Sequence, residues 1–297
     1  MAFPKILYSL IACFPLFFYS CVPQKKATSH QQEIAKLDSL LQDHSKTLKN
    51  QDAIRRKKQD DNEIDSTTNA RMQKFIGVAN EEISKAVAQN QILIGQTIVN
   101  REDWDQLKKG LAFARSTSKI IGDKVSLIGD LMNRSTVVRL DQDLIFEPGK
   151  YTANPEVANS IAKIFEPAAK EIDYFIQKYP DFPLSLVITA KGYADATTIL
   201  EGSSLYKDLH SRLRLKGGAE PDAKELNKEL SRARAEEVIG LLKKFTEGRS
   251  VDGGNVKNIL YLYEGKGDSF PDPKTTDYKV DDKRRRVVLL FWGLFPE

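Results

Sequence analysis

Cysteine and histidine are almost missing from this chain: its 297 residues include two of the first and three of the second. Cys13 lies inside an apolar N-terminal run, and Cys21 lies just past it. If that run is removed, Cys21 is the only thiol left, and a disulfide within the chain is excluded because bridges need pairs. His30, His44 and His210 are far apart and share no spacing of a metal site. Ser231 has no histidine near it in sequence, and only His210 has any route to it, so neither an enzyme nor a metal or cofactor is expected. Long apolar stretches are missing beyond residue 18. Ile6–Phe18 is itself shorter than the roughly 20 residues that a membrane-spanning helix takes, so no retained span is expected. An excess of one charge is missing too. The net charge is +4 with both signs interspersed, a weak pull toward anionic partners. The one compact basic run, KRRR at 283–286, follows Asp281 and Asp282 and leads straight into VVLLF, which reads as entry to a strand rather than a nucleic-acid surface. Internal repeats and low-complexity tracts are absent.

The N-terminus has an ordered series of segments. Lys5 precedes the apolar run, and Tyr19, Ser20 and Cys21 follow it, the layout of an export signal. Ser20-Cys21 after a short apolar run resembles the signal of bacterial lipoproteins, although Phe18 stands where that motif usually has Leu. The resemblance implies a signal peptide over 1–20 and lipidation of Cys21 as the new N-terminus. Val22 replaces the Asp that retains such proteins at the inner membrane, which implies the outer membrane, lipid-anchored and facing the periplasm. An anchor of two or more acyl chains holds stably where a single chain is marginal.

Residues 21–70 are polar and read as a helical tether. Ile34, Leu37, Leu41 and Leu48 fall on a and d positions of a heptad, with His44 and Gln51 interrupting the d row. RRKKQDD at 55–61 reads as a solvated stretch. Residues 71–134 are also helical, with Met72, Ile76, Ala79, Ile83, Val87, Ile94 and Ile98 at helical spacing and shorter helices expected over Trp104–Ala114 and Ser116–Met132. From residue 135 the pattern changes. Val137–Phe146 reads as a strand, Asn154–Lys178 as an amphipathic helix that Pro167 should kink, and Leu184–Ala190 as a strand. A helix over Pro221–Phe245 and strands over Asn258–Tyr263 and Arg285–Trp292 complete the order βαβαββ. That order predicts an α+β, two-layer domain over 135–297, a mixed sheet with helices on one side, preceded by the helical region.

One helix poses a chemical question. In NKELSRARAEEV, residues 227–238, the face that gathers Leu226, Leu230, Val238, Leu241 and Phe245 also carries Arg234 near its centre, with Asn227 beside it and Ser231 one turn on. A guanidinium does not shed its charge, so it needs a carboxylate, a wet cleft or a ligand. GYAD at 192–195, the N-x-x-L-S-x-x-R-A-x-x-V helix, EGKGDSFP at 264–271 and RRRV at 284–287, in that order, resemble the OmpA-like peptidoglycan-binding domain over residues 137–294. The resemblance implies that Asp195 and Arg234 grip the diaminopimelate of the peptidoglycan stem peptide, with Asn227 and Ser231 on the wall of the cleft. It implies binding without catalysis, peptidoglycan as partner, and anchorage of an outer-membrane lipoprotein to the cell wall. The chain departs from the family at Thr198, where a second Gly is usual, at Arg284, where Asn is usual, and in an insert at 196–226, which is expected to fold as a short helix over the site. The competing reading makes residues 22–134 the working part, docking to envelope proteins as an adaptor or structural subunit of a secretion or motility complex.

Overall fold

A computed structural model describes residues 23–133, 137–153, 155–214, 219–247 and 256–296. The signal segment and Cys21 lie outside the described residues. The chain is α+β: its described residues form six helices and a four-stranded mixed sheet. Three long helices come first: α1 (Gln24–Asp60), α2 (Ser66–Gly95) and α3 (Arg101–Asn133). They are followed by β1 (Val137–Asp141), a 3-10 turn (Gln142–Leu144), α4 (Pro155–Lys178), β2 (Leu184–Gly192), α5 (Ser204–Leu213), α6 (Ala223–Glu247), β3 (Val256–Gly265), a second 3-10 turn (Lys283–Arg285) and β4 (Val287–Pro296). By compactness the described residues form two units. One holds those up to Asn50 with Gly77–Ser126, the other Gln51–Ile76 with Leu127 onward.

In the first unit, Ile34, Leu41 and Leu48 of α1 are buried, as are Ala79 and Ile83 of α2 and Leu107, Leu111 and Ile121 of α3. The expected break near residue 115 does not occur, and α3 is one helix. Its glycines are packing positions, not stops. A Cβ on Gly110 would fall 2.4 Å from a Leu93 methyl, and one on Gly122 would touch His44 at 3.4 Å. Arg115 then clamps α3 to α1 with two hydrogen bonds of 2.7 Å to Glu33. At the end of α2, the Gln31 amide donates to the carbonyls of Leu93, Ile94 and Gln96, groups that the helix leaves without partners.

In the second unit the strand order is β1-β4-β2-β3, antiparallel except for the parallel β2–β3 pair. β2 lies between two partners, and all nine of its residues are buried. Its alternation assigns Leu186 and Ile188 to the face that meets α4 and α6, alongside Trp292 and Leu290 of β4. The opposite face is not open, which corrects the expectation of helices on one side. Asp65 caps α2, accepting from the backbone N–H of Thr67 at 2.9 Å and of Thr68 at 3.2 Å, and the Thr189 hydroxyl of β2 donates to it at 3.4 Å. Arg71 sits over the Phe295 ring, and Thr68 lies against Gly293. The end of the segment read as tether, at Asp65 and Thr68, therefore covers part of the sheet. Arg55 of the supposedly solvated basic run is buried, paired with Asp52 at 2.8 Å and bonded to Asn69.

One further expectation changes locally. β1 stops at Asp141, whose carboxylate accepts from Asp143 N–H and starts the 3-10 turn, so Gln142–Phe146 is not strand. α4 is one continuous helix with Pro167 inside it, as the sequence pattern over Asn154–Lys178 predicts. α6 opens on a reciprocal cap: Glu225 N–H donates to Asp222 at 2.7 Å, and Asp222 N–H donates to Glu225 at 3.0 Å.

Candidate functional site

The site is assembled where β2 and β3 end against α6. Gly192 closes β2 so near α6 that a Cβ there would lie 1.9 Å from the Ser231 carbonyl oxygen, and a Cβ on Gly265 would lie 2.2 Å from that of Lys228. Only glycine permits this approach. The chain leaving β2 is then pinned on both sides, Tyr193 N–H to the Val287 carbonyl at 2.9 Å and Ala194 N–H to the Gly267 carbonyl at 2.7 Å. The next residue is Asp195. Its position is set by backbone, before any ligand is considered.

Asp195 and Arg234 line one cavity of about 550 Å³, together with Asn227, Asp143, Lys150 and Arg286. Arg234 is 8% exposed. Its Nε donates to the Lys150 carbonyl at 3.1 Å and its Nη1 to Gln142 Oε1 at 2.6 Å, and the guanidinium sits over the Phe146 ring. Gln142 is held for this task. Its amide nitrogen donates to the carbonyls of Tyr193 at 2.8 Å and Val287 at 2.9 Å, which turns its oxygen toward Arg234. Burial pushes Arg234 down to about 10, while Asp143 and Asp195 pull the other way, so the group is a cation at neutral pH. Both of its acceptors are neutral, and the charge stays available to an anion.

Asp195 pairs with a different arginine. Its Oδ2 is 3.0 Å from Arg286 Nε, and its Oδ1 accepts from Thr197 N–H at 3.2 Å. The Arg286 contact is an ion pair without hydrogen-bond geometry, since that Nε has no hydrogen-bond partner among the described residues. Arg286 also reaches Asp143 at 3.2 Å. Asp195 and Arg234 share the cavity without a hydrogen bond or ion pair between them. Asn227 lines the cavity and donates to the Thr197 carbonyl at 3.3 Å. Ser231 does not reach it. Its Oγ donates to the Lys228 carbonyl at 2.8 Å and accepts from Gly267 N–H at 2.9 Å, tying α6 to the loop after β3.

Sequence reasoning missed Asp143, Gln142, Lys150 and Arg286. The first two lie in Val137–Phe146, whose pattern predicts strand, and RRRV at 284–287 by itself gives Arg286 no role. The polar triplet Asp141-Gln142-Asp143 breaking an apolar alternation was the available signal. The insert does form a helix beside the site, α5, whose N-cap Ser203 accepts from Tyr206 N–H. Among the described residues no group of three or more His, Cys, Asp or Glu is placed to hold a metal ion. No helix of the described residues is long and apolar enough to cross a membrane. No protein-family model matches this chain, and no curated protein sequence matches it.

Proposed function

We propose that this cavity binds the diaminopimelate of the peptidoglycan stem peptide without covalent chemistry, and that the chain anchors an outer-membrane lipoprotein to the cell wall. One observation carries the reading: three carboxylates and three cationic groups, Asp143, Glu147 and Asp195 with Lys150, Arg234 and Arg286, border a single cavity. The free end of diaminopimelate is an ammonium beside a carboxylate. Arg234, bonded only to neutral acceptors, suits the carboxylate, and Asp195 suits the ammonium, through charge-assisted bonds worth roughly 1.5–3 kcal/mol each. Catalysis is not part of the proposal. The Ser231 hydroxyl is engaged by backbone, and His210 stacks on Tyr206. Isothermal titration of the full chain with a diaminopimelate muropeptide, against a Lys muropeptide, tests the reading. Binding of the first and weaker binding of the second is expected; no binding of either refutes it. The lipid anchor is tested separately, by fatty-acid labelling of wild type and Cys21→Ala in cells, where equal labelling would remove it.

The adaptor reading retains one supporting observation. Phe113 and Ile120 of α3 are about half exposed and line a hollow of about 300 Å³ with Ala86 of α2. A photo-crosslinker at residue 113 in cells should trap one defined envelope protein if that reading holds, and a diffuse pattern would count against it.

A further inference from the structure

The cavity has two chemically different sides. Its charged groups all come from outside the insert: Asp143, Glu147 and Lys150 near the first 3-10 turn, Asp195 after β2, Arg234 on α6 and Arg286 before β4. The insert's share of the lining is uncharged, made by Thr198, Ile199, Leu200, Ser203 and Leu205 among others. Leu200 is 78% exposed, a large aliphatic side chain left in water at the cavity rim.

This wall is fixed in place. Leu209 of α5 is fully buried in a cluster with Leu226 and Leu230, which Ile199 and Leu205 join. Arg212 bonds to Glu229 of α6 at 2.8 Å and also reaches Glu236. Ala196 N–H donates to the Val280 carbonyl at 2.8 Å, and Asn227 holds the Thr197 carbonyl. A pre-positioned wall loses little entropy when a ligand meets it.

We infer that the insert adds a second subsite, which takes the uncharged residue next to the diaminopimelate in a stem peptide. The inference rests on the binding reading above. A zwitterion needs only the charged side. An aliphatic and hydroxyl-bearing wall adds nothing for it, whereas it matches a small apolar residue joined to it by peptide bonds.

The test is isothermal titration of the full chain with two probes, free diaminopimelate and a stem tetrapeptide that contains it and ends in alanine with its terminal carboxylate amidated. The variant is Leu200→Ser, chosen because so exposed a side chain holds no core together. Leu200→Ser should weaken tetrapeptide binding about 5-fold, roughly 1 kcal/mol at 1.4 kcal/mol per tenfold, and leave free diaminopimelate unchanged. If wild type binds both probes with one affinity, or Leu200→Ser weakens neither or both alike, the subsite is overturned while the binding reading stands. If wild type binds neither probe, both fall together.

Discussion

Arg234 does two things at once, and variants should separate them. It offers charge to the cavity, and it satisfies the buried oxygen of Gln142. Replacing it with Ala should weaken muropeptide binding about 30- to 150-fold, for a loss of roughly 2–3 kcal/mol. It should also cost about 1–2 kcal/mol of stability, because a buried acceptor is left without its donor. Asp195→Asn keeps shape and should weaken binding with little effect on denaturation. The double variant should lose less than the sum, because one ligand is shared. Wild-type binding by Arg234→Ala would refute the site. Lys191 poses the opposite case, a buried cation with no assigned role in binding. Burial pushes its amine below the ordinary value, with Asp65 opposing, and its Nζ sits 4.7 Å from the centre of the Phe291 ring. A lysine with a lowered folded value is penalised at neutral pH, and the penalty is relieved as pH rises from the folded toward the unfolded value, because the unfolded chain then holds more protons. Denaturation of wild type and Lys191→Met should therefore show the gap moving in favour of wild type between pH 7 and about 10, the ordinary range of lysine. A gap that is constant or moves the other way would contradict this.

The attachment of α5 to α6 is an element-scale device. Glu229 is buried, which works against its charge, yet its hydrogen bonds to Arg232 and Arg212 outweigh this and hold the carboxyl below its usual range. Its stabilising contribution is thus present above the ordinary carboxylate range and lost as pH falls through the lowered folded value. Arg232 binds it at 2.7 and 2.8 Å, Arg212 at 2.8 Å. Arg212→Ala leaves Glu229 paired with Arg232 and should cost about 1 kcal/mol, whereas Glu229→Ala takes the carboxylate from Arg232 and leaves Arg212 with Glu236 alone, and should cost about 2 kcal/mol. Hydrogen exchange should quicken over 204–213 in both variants, and more in the second. Equal costs would show that the pairs do not share one network. Periodicity made α6 and β2 legible in the sequence, as apolar spacing and the Asp222–Glu225 cap are local signals. Asp195 and Arg234 were legible through their motifs. The partners Asp143 and Arg286 were not, because their meeting depends on β1 and β4 pairing across most of the domain. Nor did spacing distinguish a helix break from the close packing that Gly110 and Gly122 allow.

At the scale of the whole molecule, the sheet draws its second cover from far upstream. Gln51–Ile76 belongs with Leu127 onward by compactness, and Asp65, Thr68 and Arg71 meet β2 and β4 directly. Up to residue 70 that segment reads as tether because its apolar residues are sparse. Ile64 is the large one buried there, too little to announce a core. A piece beginning at residue 135 would uncover Thr189, Lys191, Leu289 and Phe291. It should unfold at lower denaturant than the full chain and bind an apolar dye. A piece with the full chain's midpoint and no dye binding would show that this cover contributes nothing. Wall-binding assays are accordingly best made on the full chain.

The closeness of Gly192 and Gly265 to the α6 backbone has a bearing on how mutations in this protein will read. Neither glycine lines the cavity. Yet a methyl group at 192 has to displace the Ser231 carbonyl, and with it the helix that carries Asn227 and Arg234. In a saturation screen selected for cell-wall retention, positions 192 and 265 should tolerate no other residue and so score beside the ligand contacts. A parallel measurement of protein abundance in the cell would tell the two groups apart. Asp195 and Arg234 variants should keep most of their abundance, while Gly192→Ala and Gly265→Ala lose it along with retention. A tolerant position 192 would mean that α6 yields to the strand end, and that the site is more pliable than its packing suggests.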